Sequence, residues 1–67
     1  MIKLDAGVAI AVLVAAAREW GDRGVPTYKF KGYNSIAYQV DASATSEYEW
    51  IEAVIQDDGS TIFYGSK

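Results

Sequence analysis

The chain contains no cysteine and no histidine. Without cysteine there is no disulfide, and without either residue the usual structural zinc sets are missing, so two common staples of a small domain are closed to it. The same absences remove the commonest general base, the commonest metal ligand and the thiolate nucleophile. The chain therefore reads as a non-enzyme, with no catalytic residue, metal site or cofactor expected. Positive charge is also scarce: six Lys and Arg stand against nine Asp and Glu, giving a net charge of -3. Nucleic acid, whose phosphates are held mainly by Lys and Arg, is not an expected partner. The basic residues Lys3, Arg18, Arg23, Lys29, Lys31 and Lys67 are scattered. Only Lys29 and Lys31, two apart, share a strand face, which reads as a solvated one.

One long uncharged stretch stands out, residues 6–17, Ala-Gly-Val-Ala-Ile-Ala-Val-Leu-Val-Ala-Ala-Ala. As a helix it is apolar all round, whereas an amphipathic surface helix keeps a charged side for water, so more than one of its sides needs covering. The stretch falls short of the roughly 20 residues that span a bilayer, and no membrane partner is expected. Met1-Ile2-Lys3 ahead of it and the small residues Ala15-Ala16-Ala17 imitate a signal peptide, but Asp5 removes the positive bias such a segment needs. A cysteine-free chain suits a reducing compartment, and a cytoplasmic location is expected.

At 67 residues the chain is long enough for one domain, residues 1–67. A domain of that size buries only about 60% of the surface its unfolded form exposes, so oligomerisation or tight packing has to supply stability. Asp5 is placed to cap a helix over residues 6–22, which ends at the Gly21 to Gly24 region before Val25-Pro26. At 100° per residue Ala6, Ile10, Leu13, Val14, Ala17 and Trp20 share one side, assigned to a sheet. Val8, Ala11, Val12 and Ala15 form a second stripe of mostly small residues, closed by Arg18 and Glu19, and this stripe is the expected contact of a homodimer. The other arrangement is a sheet that curls around both sides of the helix.

Beyond Pro26 the period becomes two. Residues 27–31 and 35–42 alternate around a turn at residues 32–34, which reads as an antiparallel hairpin with Tyr28, Phe30, Ile36, Tyr38 and Val40 inward and Lys29, Lys31, Gln39 and Asp41 outward. Residues 46–56 admit two readings. As a strand they lead through the Asp57-Asp58-Gly59-Ser60 turn into residues 61–64. As a helix they carry a Ser46 and Glu49 capping box. The strand is preferred, because the segment is rich in β-branched and aromatic residues and Asp57-Asp58 would sit at the wrong end of a helix dipole. The expected fold is α+β, one N-terminal helix packed on a four-stranded antiparallel meander, the alternative being α-β-β-α-β with a second helix at residues 46–56. That order is similar to cystatin-type protease inhibitors in topology alone. Their Gln-x-Val-x-Gly hairpin is absent, since Gln39-Val40-Asp41-Ala42-Ser43 lacks the glycine, and no activity follows.

If Ile51, Ala53, Ile55, Ile62 and Tyr64 face the helix, then Trp50, Val54 and Phe63 form an apolar patch on the other side of the sheet, rimmed by Glu52 and the lysines. This patch is the expected partner-binding surface. Glu47 and Glu49 read as solvated edge residues, and the Asp57-Asp58 turn lacks the ligand series of a calcium loop. Together these features describe a small acidic protein-interaction module, homodimeric through the helix stripe, that acts as an inhibitor by occupying a surface of a larger protein. Two other functions are open: a structural or designed scaffold without a ligand, and a small-ligand carrier with a pocket between helix and sheet.

Overall fold

The computed structural model describes residues 1–20, 27–40 and 48–67, with the backbone alone at Glu19 and Trp20. The elements run β1 (Ile2–Leu4), α1 (Ala6–Trp20), β2 (Tyr28–Gly32), β3 (Ser35–Gln39), β4 (Trp50–Ile55) and β5 (Thr61–Ser66). The α+β reading holds, and residues 50–55 are strand, so the second-helix alternative falls. The strands form one antiparallel sheet in the order β1-β5-β4-β3-β2. It is the expected meander with a fifth strand added at one edge, where Ile2, Lys3 and Leu4 pair with Gly65, Tyr64 and Phe63. The expected helix end at Asp22, the sheetward side chain of Trp20, Asp41 and Glu47 lie outside the described residues.

Asp5 does what its position demands. Its carboxylate accepts a hydrogen bond from the Gly7 amide at 3.0 Å, and its carbonyl accepts the first helical bond from Ala9 at 3.0 Å. This satisfies one of the amides that every helix start leaves unpaired. Asp5→Ala should lower unfolding free energy by about 1 kcal/mol, read as a shift of the urea midpoint at constant slope. At the far hairpin, Gly59 takes φ 88°, a left-handed conformation that suits glycine. The Asp58 carboxylate accepts from the Ser60 hydroxyl at 2.6 Å and its amide at 2.9 Å. Those bonds hold the Asp58 pKa below its ordinary value. A lowered carboxyl pKa means that the turn contact is complete above the ordinary carboxylate range and is lost as pH falls through the lowered value.

The core is Ala9, Ala16, Val40 and Ile51, with Leu4, Val12, Leu13, Tyr48 and Phe63 packed around it. On α1 the inward residues are Ala9, Val12, Leu13 and Ala16, an i, i+3, i+4, i+7 stripe. This corrects the expected rotation. Leu13 faces the sheet, but Ile10 and Val14, expected there, are 50% and 45% exposed, and Ala6 and Ala17 are exposed as well. Val12, expected to point away, packs against the core. The reason lies one residue before the cap: Leu4 is anchored in the core by β1, which sets the angle at which α1 starts. The alanines at the contact then let the helix backbone sit close to Ile51 and Val40, whereas the larger Ile10 and Val14 stay outside.

Candidate functional site

Register determines what the sheet shows on the face away from α1. Lys3 pairs with Tyr64, Tyr64 with Glu52, Glu52 with Ala37 and Ala37 with Lys29, so these five residues make one row across all five strands. Because strand side chains alternate, Trp50 and Val54 flank Glu52 on the same face. The Lys29 ammonium lies 4.2 Å from the centroid of the Trp50 ring, a cation-π contact. The Ser35 hydroxyl donates a short hydrogen bond to the Glu52 carboxylate. Ala37 stands between Glu52 and Lys29 in this row and is only 2% exposed, although it is no part of the core beneath the helix. Lys29, Lys31, Trp50, Glu52, Ser66 and Lys67 line a shallow depression of about 230 Å³ over it.

Three of the four residues expected to bind a partner therefore come together: Trp50, Glu52 and Val54. Phe63 does not join them. It pairs with Ala53 and Leu4 and packs on the core, while Ile62 and Tyr64 take the outward positions. Across the hairpin Ile55 pairs with Thr61, which puts Thr61, Phe63 and Gly65 on the side of Ile51, Ala53 and Ile55. A shift of one residue in a strand exchanges its two faces. Lys29 and Lys31 take the outward positions expected of them, and the contribution missed in the sequence is that of Lys3. Lys29 and Lys31 alternate with Tyr28 and Phe30, which places them on the Trp50 side of the sheet, and Lys3 joins them through the unforeseen β1.

A second surface lies on the helix side. Helix α1 rests against β5, and β2 is three strands away in the sheet. At about 4.8 Å per strand that distance is roughly 14 Å, beyond the reach of a helix about 10 Å across. Among the described residues none covers the β2 end of this face. Phe30 is 75% exposed, and Tyr28 and Ile55 are exposed beside it. Tyr28 meets Phe30 edge-on at 5.8 Å and lies 6.2 Å from Tyr38. At the hairpin tip Tyr33 is 98% exposed, while the Asn34 side chain donates to the Ile55 carbonyl at 3.0 Å and ties the turn to β4. The helix presents its own uncovered apolar side. Of the stripe expected to self-associate, Val8 and Ala11 are exposed, Ala15 is half-buried and Val12 is turned to the core.

No protein-family model, characterised protein or solved structure matches the chain. What the surfaces offer chemically is contact and charge. Among the described residues no three potential metal ligands gather, and no buried side-chain polar atom lacks a partner. No helix among them is long and apolar enough to cross a membrane.

Proposed function

We propose that this chain is a protein-interaction module that pairs with a second copy of itself through the helix side of its sheet and offers the outer sheet face to another protein. One observation carries the reading: no described element covers the β2 end of the helix side of the sheet, and both that end and the outer side of the helix are apolar. Each is the kind of surface the other covers within the domain. A two-fold pair would lay each helix side against its partner's Tyr28, Phe30 and Ile55, a closed arrangement in which both copies use the same patch. A scaffold selected for folding alone has no reason to leave Phe30 and Tyr33 in water. In this role the chain acts by occupying a surface of a larger protein, with inhibition of that protein as the consequence. A cytoplasmic setting agrees with the lack of cysteine.

Sedimentation equilibrium tests the pairing. The wild type should sediment as a dimer, and Val14→Glu and Phe30→Glu, each at an exposed position, as folded monomers with unchanged far-ultraviolet circular dichroism. A wild type that stays monomeric at the highest soluble concentration would end the proposal. Val12 is the wrong place for such a charge, because its substitution would test folding and not association.

A further inference from the structure

We infer that the outer sheet face binds an acidic peptide segment with an apolar centre. The inference takes the face that the interaction reading leaves to another protein and names the chemistry of its ligand. Although the chain carries a net charge of -3, the charges of its described side chains are sorted in space. Lys3 and Lys29 stand at the two ends of the row described above, and Lys31 and Lys67 line the same depression. Among the described residues Glu52 is the one carboxylate at a strand position of this face, and it is engaged by the Ser35 hydroxyl. The other described carboxylates lie elsewhere: Asp5 caps the helix, Asp57 and Asp58 sit in the hairpin turn, and Glu49 precedes β4. Over its described residues, an acidic protein thus presents a face rimmed by positive charge.

Between the lysines the face is apolar, with Trp50, Val54, Ile62 and Tyr64 at outward strand positions. The rim separation sets the ligand's length. Lys3 and Lys29 are four strand spacings apart, about 19 Å, which an extended chain crosses in about six residues. The fitting segment carries carboxylates at both ends and apolar side chains between. A single-stranded nucleic acid would meet the same lysines, but the face suits it less well. The Lys29 ammonium occupies a face of the Trp50 ring on which a base would stack, and Glu52 repels phosphate at the middle of the row.

The test is a fluorescence-polarisation titration at low salt with a labelled synthetic peptide, Glu-Glu-Leu-Val-Leu-Glu-Glu. Two probes run beside it: the same peptide with Lys in place of Glu, and an oligothymidylate of similar charge. The acidic peptide should bind saturably and weaken as salt is raised, and the Lys peptide should not bind. The double variant Lys29→Glu, Lys31→Glu should weaken binding about tenfold, since two rim ion pairs become repulsions. Both lysines are exposed, so the variant should keep the wild-type circular dichroism. Val14→Glu, altered on the helix side, should bind the peptide as the wild type does, which separates this result from the outcome of the sedimentation experiment. No binding of the acidic peptide, equal binding of the Lys peptide, tighter binding of oligothymidylate, or a double variant that binds unchanged would each overturn the inference.

Discussion

Ile51→Ala should lower the unfolding free energy by about 2–5 kcal/mol, the range for emptying a buried aliphatic site. Ile51 is fully buried, and it lies where the sheet meets Ala9 and Ala16 of the helix. Both helix residues are already alanine, so neither has a side chain long enough to move into the space left behind. At about 0.05–0.15 kcal/mol per residue, a domain of this size has roughly 3–10 kcal/mol of stability in total. The substitution should therefore remove a large share of the stability, seen as a lowered urea midpoint, or as loss of the folded baseline where the total lies at the low end of that range. A shift below about 1 kcal/mol would mean that Ile51 is not the centre of the core.

Gly65→Ala should cost about 1–3 kcal/mol, the usual effect of forcing extra volume into a packed site. A Cβ at Gly65 would lie 2.6 Å from Cδ1 of Tyr48 and 2.8 Å from both Cε1 and Cγ. The collision involves the root of the ring as well as its edge, so rotation about the ring axis gives no relief. Tyr48 cannot easily back away: it packs on the core, and the next residue, Glu49, donates its amide to the Ser66 carbonyl at 2.8 Å. Glycine here makes room for a neighbouring ring and not for an unusual turn. The signature is coupling, since the combined Gly65→Ala, Tyr48→Ala variant should lose less stability than the two single losses added together. Strict additivity in the urea midpoints would show that the ring and the glycine do not compete for space.

Ile51 lies in a strand that sequence patterns resolve, whereas Gly65 lies in one whose faces they do not. The helix start was legible because one residue, Asp5, is a good cap directly before an apolar run. The hairpin at residues 57–60 was legible because an Asp-Gly pair between alternating segments has few other uses. The segment from Trp50 to Ile55 was readable as a strand from its β-branched and aromatic content. The rotation of α1 was not readable. A helix apolar on every side contains several stripes that satisfy the same spacing rule, and Leu4, in a strand of only three residues, makes the choice. The faces of β5 were hidden for a related reason. Ile62, Phe63 and Tyr64 are three apolar residues in succession, so alternation says nothing, and only the Ile55 to Thr61 pairing decides. Of the candidate site, Trp50, Glu52 and Val54 were found together because they share one strand. Lys29 and Lys31 were placed on that face by their alternation with Tyr28 and Phe30, whereas Lys3 arrives from β1 at the opposite edge of the sheet, a relation that spacing within a segment does not contain.

The pairing of β1 with β5 also bears on the order in which the domain assembles. Ile2 and Gly65 come from near opposite ends of the chain, so their contact closes the largest loop in the sheet, while the other strand pairs join sequence neighbours. Loop closure is entropically cheapest for local pairs, so the meander can form progressively and the β1 edge has to wait for it. A contact made after the rate-limiting step does little to hasten folding, and what it adds is resistance to opening. The same three-residue edge that turns α1 toward its sheet would thus act as the latch of the domain, the last ladder to zip and the first whose amides exchange with solvent.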